Sequence, residues 1–199
     1  MRRVLGAVAL AGAAGLAWGL AEARAYTLRR VEVPVLPHGS RPVRILHLSD
    51  LHLTPSQRGK VAWVRALAQE NVDAVITTGD NLAHPDAVPT ALEALEPLLG
   101  LPGAFVFGSN DYHGPLPKNP LDYFGGPSRL RPKQADLPTE DLREGLAAGG
   151  WVDLNNARGA IEAHGSVLDL VGVDDPHIGR DVMPGPAPRV EGAATRIGV

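Results

Sequence analysis

Three short polar segments combine residue types that bind divalent metal ions. They are residues 49–52 (Ser-Asp-Leu-His), 79–81 (Gly-Asp-Asn) and 108–111 (Gly-Ser-Asn-Asp). Carboxylates, an imidazole and an amide oxygen, without thiolates, suit pairs of ions such as Mn, Fe, Zn or Mg. Such a pair polarises a phosphoryl group and lowers the pKa of bound water. The residue types therefore predict a two-metal site that hydrolyses a phosphoester with metal-bound hydroxide, and its candidate ligands are Asp50, His52, Asp80 and Asn110.

Hydrophobic periodicity predicts the elements that bring these segments together. Three apolar runs of strand length, each followed by one polar segment, alternate with two amphipathic helices. Crossovers of this length imply parallel strands covered by helices, and ligands of such sheets bind beyond the carboxyl ends of the strands. The 30-residue steps from Asp50 to Asp80 and from Asp80 to Asn110 repeat this unit, which makes Asp80 the natural bridging ligand. The predicted strands are residues 43–48, 74–78 and 104–107, and the predicted helices are residues 57–70 and 90–99.

Two helix caps and one long loop are also predicted in this part of the chain. Thr90 and Glu93 are spaced as a capping box, and Thr139 is suited to cap a short helix through Ala148. Residues 113–138 are rich in Pro, Gly and basic side chains, which is typical of a long loop. Its basic residues can form a phosphate-attracting lid or a solvated loop, and they are Lys118, Arg129, Arg131 and Lys133. The aromatic residues Tyr112, Tyr123 and Phe124 can pack against the apolar part of a substrate or anchor the loop.

Alternating apolar residues predict strands on both sides of this region. Residues 27–35, which include Pro34, are expected to form an edge strand with one solvated face. Residues 151–154, 160–163 and 166–173 are expected to form successive antiparallel strands, and residues 196–199 the start of another.

Composition limits the class of protein. The 199 residues are long enough for one compact domain, and the absence of cysteine excludes disulfide scaffolds and thiolate metal sites. Residues 1–30 carry five Arg and one Glu, so the remainder of a chain with net charge −3 stands at −7. An acidic body argues against binding to nucleic acid. The composition does not predict an oligomeric state.

The N-terminal segment predicts contact with a membrane. Arg2 and Arg3 precede an uncharged run over residues 4–21, the layout of a signal peptide or a signal anchor. Small residues around 21–25 are compatible with cleavage, and Ala and Gly make the run marginal for a permanent span. We expect residues 1–26 to be a signal peptide or anchor and residues 27–199 the catalytic domain, in a membrane-associated or exported protein of the bacterial cell envelope.

The polar segments resemble those of the calcineurin-like metallophosphoesterases. Residues 45–52, 75–80 and 106–112 are similar to the family's first three motifs, Asp-x-His, Gly-Asp and Gly-Asn-His-Asp/Glu. The N-terminal hydrophobic segment is similar to the bacterial membrane-associated, YkuE-like branch. The resemblance implies an α/β fold in which a β-sandwich is flanked by helices (αββα). It also implies that Asp50 and His52 ligate one ion, that Asp80 bridges, and that the third-motif Asn ligates the second ion.

Two departures from the family pattern affect the expected chemistry. In the third motif either Ser109 and Asn110 replace Asn and His in register, or Asn110 is the ligand after a shift of one residue, which we favour because Ser is a poor metal ligand. In both cases the family's catalytic His is absent from its usual place, and Asp111 or His113 is the candidate replacement. The family's remaining His ligands lie in a C-terminal segment, so we expect a C-terminally truncated domain that binds metals weakly and hydrolyses phosphoesters poorly.

Other polar residues near the predicted strand ends have two interpretations each. His47 is expected to be a core or opposite-face histidine, and His84 a loop or cap residue rather than a pocket residue. Asp174, Asp175 and His177 either reach the crevice or stabilise a turn through Asx-type hydrogen bonds. Two alternatives to an active enzyme follow: a non-catalytic fragment of the same fold, and a membrane-anchored binding module that recognises a cation or a partner.

Overall fold

The structure is a computed structural model that describes residues 2–115 and 136–199. The chain divides into two compact units, Met1–Pro34 and Val35–Val199. The first unit contains helix α1, Arg2–Glu22. No helix in the described stretches is both long and apolar enough to cross a membrane. The basic and aromatic residues predicted in the long loop, from Lys118 to Lys133, lie outside the described residues.

The predicted edge strand over residues 27–35 is wrong. These residues form no helix or strand, and Val31 and Val33 are 80% and 64% exposed. An alternating pattern forms a strand only when a neighbouring strand accepts its hydrogen bonds, and Pro34 itself has no N–H to donate.

A four-stranded parallel sheet forms the frame of the second unit. Its strands follow the chain order β1-β2-β3-β4, and each neighbouring pair is parallel. The strands are β1 Ile45–Leu48, β2 Ala74–Thr77, β3 Gly103–Phe105 and β4 Val152–Asp153. The first three confirm the predicted strands within a few residues. The fourth corrects the expected antiparallel pairing of residues 151–154, because a helix lies between β3 and β4 and provides the crossover that a parallel strand needs.

Amphipathic helices connect these strands and bury their apolar faces. The helices are α2 Arg58–Ala66, α3 Val88–Leu95, the single turn α4 Ser109–Tyr112, and α5 Thr139–Ala148. Short 3₁₀ turns, Leu67–Gln69 and Glu96–Leu98, extend α2 and α3. The residues that α2, α3 and α5 bury are Val61, Val64, Val88, Ala91, Leu95, Leu142 and Leu146.

Both predicted helix caps are wrong. Helix α3 begins at Val88, with Pro89 in its first turn, so Thr90 is a buried residue inside the helix. Pro89 lacks an N–H, so the first turn of α3 has one fewer unpaired donor for a cap to satisfy. Thr139 is the first residue of α5, and its hydroxyl donates to the Asp111 carbonyl at 2.6 Å rather than capping the helix.

A second sheet of three strands packs against the first. Strands β5 Arg158–Ala163 and β6 Ser166–Val171 form the predicted antiparallel hairpin, and β7 Ala193–Gly198 runs parallel to β6. Apolar side chains from both sheets form one buried cluster: Ala74, Ala104, Val106, Leu154, Ile161, Ala163, Leu168 and Leu170. The molecule therefore has the predicted α/β architecture, with two packed sheets and helices flanking the parallel one.

Candidate metal centre

Three loops meet at the carboxyl ends of β1, β2 and β3. The first two are joined by backbone hydrogen bonds in successive pairs: Asp50 N–H to Gly79 O (3.1 Å), His52 N–H to Asp80 O (2.8 Å) and Leu53 N–H to Asn81 O (2.7 Å). Parallel strands bring their loops to the same edge of the sheet, and these bonds then fix the two loops side by side. The main chain therefore holds the first two metal-binding segments in register.

Left-handed backbone conformations aim the donor side chains. The φ angles of Asp50, His52 and Asp80 are 54°, 41° and 54°, a region that residues other than glycine adopt rarely. Strained conformations of this kind concentrate at functional sites. Glycine is required at two neighbouring positions. Gly79 has a φ of 90° and lies directly against the backbone of Gly108, while a Cβ at Gly108 would collide with the Asp80 carboxylate.

Three predicted ligands form a compact donor cluster. One ligand atom from each of Asp50, His52 and Asp80 lies within 4.8 Å of the others. The His52 Nε2 atom is 3.8 Å from Asp50 Oδ1 and 3.7 Å from Asp80 Oδ2. Two donors that each lie about 2.1 Å from one ion are separated by no more than about 4.2 Å. Both His52 distances are below this limit, so His52 can share one divalent ion with either carboxylate. The oxygen and imidazole donors of the cluster suit the metals predicted from the sequence.

Asn110 lies beside the same carboxylate. Its backbone N–H donates to Asp80 Oδ1 at 2.9 Å, and its amide nitrogen donates to Asp80 Oδ2 at 2.7 Å. The structure thus brings all four predicted ligands together, with Asp80 in contact with both the His52 side and the Asn110 side.

Asp111 joins the second loop to the third. Its carboxylate is completely buried and accepts hydrogen bonds from Asn81 N–H (2.8 Å), Leu82 N–H (3.1 Å), Gly108 N–H (3.1 Å) and the Asn81 amide (3.2 Å). Burial raises the pKa of Asp111 to about 6, against the lowering effect of the backbone donors. A carboxyl group with no exposed surface and four donors around it is placed to position the loops, whereas the sequence suggested a proton donor.

His113, the second candidate for proton donation, lies near the end of the first described stretch, residues 2–115. Its Nδ1 atom is 3.2 Å from Asp136 Oδ1, and the two residues form an isolated antiparallel bridge. The described cavity beside the metal donors is not lined by His113. Its catalytic role therefore stays a prediction.

An open cavity of about 330 Å³ adjoins the donor cluster. The loops of the parallel sheet line one side, and the other side comes from the second sheet and the turn that follows β6. The polar residues among its lining are Ser49, Asp50, Thr78, Asp80, Asp174 and Asp175. Asp174 and Asp175 thus reach the crevice, as one of the two sequence interpretations had it. The Asx-type turn of the other interpretation is also present, because Asp175 Oδ1 accepts the His177 N–H at 2.6 Å.

Sequence reasoning missed one polar residue on the wall of this cavity. Thr78 was expected to be only the last residue of a strand. Its hydroxyl lies 2.9 Å from Nε2 of His47, whose side chain is exposed rather than buried in the core. His47 was expected to lie in the core or on the opposite face of β1, and its exposed side chain agrees with the second expectation.

Comparison with known protein families agrees with this geometry. Residues 43–179 match the family model described as calcineurin-like phosphoesterase, which is more than half of the chain. The chain belongs to the calcineurin-like phosphoesterase family. The matched range contains every predicted metal ligand and the loops that carry them.

One similar protein is named in the same terms. The chain is 27% identical over 141 residues to "Uncharacterized metallophosphoesterase YkoQ" of Bacillus subtilis (strain 168). The match covers 68% of this chain and 44% of the relative. The chain thus spans less than half the length of that relative.

Proposed function

We propose that this protein is a metal-dependent phosphoesterase whose ions are held by Asp50, His52, Asp80 and Asn110. The observation that carries the proposal is the donor cluster at the cavity, with His52 Nε2 within 3.8 Å of both carboxylates. Membership of the calcineurin-like phosphoesterase family supports the same reaction class. Two divalent ions are proposed because Asp80 has donor residues on two sides.

The residues of the site have distinct tasks in this proposal. When bound, the ions polarise the phosphoryl group and lower the pKa of water. Asp80 and Asn110 hold the centre of the donor set, and Asp50 and His52 complete one side. The hydroxyl of Thr78, on the cavity wall, can donate to a phosphoryl oxygen when Nε2 of His47 carries the proton of the hydrogen bond between them.

Metal binding by the purified chain tests the proposal. Mn²⁺ should bind with a Kd in the range of about 10⁻⁴ to 10⁻³ M, because four side-chain donors do not fill two coordination shells. We expect hydrolysis of p-nitrophenyl phosphate to be slow, to require Mn²⁺ and to stop with EDTA. Calorimetric titration and a colorimetric assay measure the two quantities. Rapid turnover would contradict the expected weak activity, and absence of any Mn²⁺ binding would contradict the metal site itself.

A metal-dependent binding module is a second candidate function. The third motif lacks the family's catalytic His in either register, which favours this candidate because the usual proton donor to the leaving group is absent. In this alternative Mn²⁺ binds to the same four residues and a phosphorylated ligand is retained without turnover. The assay above separates the two functions, since both require the metal and only one releases product.

We also propose that residues 1–26 act as a signal peptide or membrane anchor, as in the YkuE-like branch of the family. The basic pair Arg2 and Arg3 before an uncharged run supports this proposal. Fractionation of cells that express the tagged chain, with and without residues 1–26, provides the test. The complete chain should reach the membrane or cell-envelope fraction, and equal distribution of the two forms would contradict the proposal.

A further inference from the structure

A second charged group, the pair of Asp174 and Arg180, stands next to the cavity on the side formed by the turn after β6. Asp174 lines the cavity, and its side chain is only 6% exposed. Its Oδ2 atom accepts hydrogen bonds from the Tyr112 hydroxyl at 2.7 Å and from Arg180 Nε at 3.2 Å. The guanidinium of Arg180 lies over the Tyr112 ring, 4.0 Å from its centre. A buried carboxylate and an aromatic face therefore hold this arginine in one orientation.

Hydrogen bonds to backbone groups also fix the segment around Arg180. Asn156 Oδ1 accepts the N–H groups of Asp174 (2.9 Å) and Val182 (2.7 Å), and its amide nitrogen donates to the Arg180 carbonyl (2.9 Å). The Arg180 N–H donates to the Asp175 carbonyl at 3.1 Å, which closes the turn between them. One asparagine thus holds both ends of the turn, so that Arg180 is presented by a rigid support.

The guanidinium has donors left for a ligand. An arginine carries five N–H donors, and the hydrogen bond to Asp174 uses the one on Nε. Half of the Arg180 side chain is exposed to solvent. A planar group held in this way matches the two oxygens of a phosphate or carboxylate.

The negative charge of the cavity indicates why an anionic substrate needs a cation next to it. Four carboxylates line the cavity, Asp50, Asp80, Asp174 and Asp175, and no Lys or Arg is among its described lining residues. Metal ions bound by Asp50 and Asp80 would offset two of these charges, whereas Asp174 and Asp175 remain on the side formed by the turn after β6. An anionic substrate needs a cation on that side, and Arg180, in contact with Asp174, is the one the cluster supplies.

We propose that Arg180 forms an anion subsite that binds a second negatively charged group of the substrate, beyond the phosphoryl group at the metal centre. The substrate class is therefore a phosphoester that carries an additional phosphate or carboxylate. This inference rests on the proposed function, because it takes the metal centre as the place of the first phosphoryl group.

Binding of two matched phosphonates to the Mn²⁺-loaded chain tests the subsite. Phenylphosphonate carries one anionic group, and 3-carboxyphenylphosphonate adds a carboxylate at little change in size. We expect the carboxylate to improve Kd about tenfold in the unmodified chain, the size of a partly exposed charge-assisted hydrogen bond. Arg180→Gln should abolish this difference, and Arg180→Lys should retain only part of it, while the Kd of phenylphosphonate changes less than about twofold in both.

Arg196→Lys is the matched control. Arg196 also pairs with a buried carboxylate, that of Asp169 at 2.7 Å, but its remaining donors bind the carbonyls of Ala187 (3.2 Å) and Pro188 (2.8 Å). Both Lys variants weaken an Arg–Asp pair, and only Arg180→Lys should alter the effect of the carboxylate. An unchanged ratio of the two Kd values in Arg180→Gln would overturn the subsite and leave the proposed function intact. If neither phosphonate binds to the unmodified chain, both are overturned.

Discussion

Replacement of Asp80 by Asn should weaken Mn²⁺ binding by at least ~100-fold and remove metal-dependent hydrolysis. Changes to groups that merely support metal ligands already cost about 10- to 100-fold in affinity, and Asp80 is itself the central ligand. Its carboxylate lies between His52 Nε2, at 3.7 Å, and the Asn110 amide, at 2.7 Å. An amide at this position has one neutral oxygen in place of two charged ones, so it cannot hold ions on both sides.

The fold should survive this substitution. Asn has nearly the same shape as Asp, its oxygen can still accept the Asn110 N–H, and the Asp80 carbonyl keeps its hydrogen bond from His52. Calorimetry with Mn²⁺ measures the affinity, and thermal denaturation without metal measures the fold. Asp86→Asn is the matched control, because Asp86 lies six residues further on with a side chain that is 84% exposed. Equal Mn²⁺ affinity in Asp80→Asn and in the unmodified chain would show that the ions bind elsewhere.

Replacement of Asp111 by Ala should lower the free energy of unfolding by about 3 kcal/mol or more. The variant leaves three backbone N–H groups and the Asn81 amide without their common acceptor, and each buried donor left unpaired costs about 1–3 kcal/mol. In the unmodified chain, burial of the carboxylate itself costs free energy, which the raised pKa of Asp111 reflects. This cost offsets part of the summed cost of the unpaired donors. Urea denaturation of the metal-free chain measures the effect, and Asp86→Ala, at an exposed site, should change it by less than about 0.5 kcal/mol.

The difference in the free energy of unfolding between the unmodified chain and Asp111→Ala should increase as the pH falls. The folded chain binds the Asp111 proton more tightly than the unfolded chain does, because the pKa rises from 3.8 to about 6 on folding. This group therefore adds stability as the pH falls through about 6, and the gain is complete below about pH 3.8. The Ala variant lacks that gain, so the difference in stability between the two proteins should widen from pH 7 to pH 5. A difference that does not widen over this range would show that Asp111 stays ionised and is held mainly by its donors.

Much of the fold could be predicted from local apolar patterns, because each of these patterns is compatible with only one type of element. The repeated strand and helix unit fixed the parallel order of β1, β2 and β3, and the polar segments at their ends converged as expected. The parallel pairing of β4 was missed because it depends on α5, whose role as a crossover is decided by packing. The absence of a strand at residues 27–35 had the same cause, since the alternating residues there find no neighbouring strand.

Roles within the site were harder to predict than positions. Asp50, His52, Asp80 and Asn110 were found from residue type and spacing, and the structure brings them together. The sequence also placed Asp111 at the site. Its role depends on the groups around it in the folded chain, and these are four buried donors rather than the cavity. Contacts such as that of Arg180 with Tyr112 and Asp174 join residues 68 and 6 positions apart, and no local pattern reports them.

The backbone bonds between the first two loops have a consequence for how such a site can change over evolutionary time. They run from main chain to main chain, so they persist whichever side chains stand at positions 50 and 52. Donor residues can therefore be exchanged singly, and a lineage can pass from one metal preference to another, or lose catalysis altogether, without first dismantling the scaffold. In this chain the third motif departs from the family pattern and the first two keep it. Such a combination is possible because the main-chain scaffold does not depend on the donor side chains.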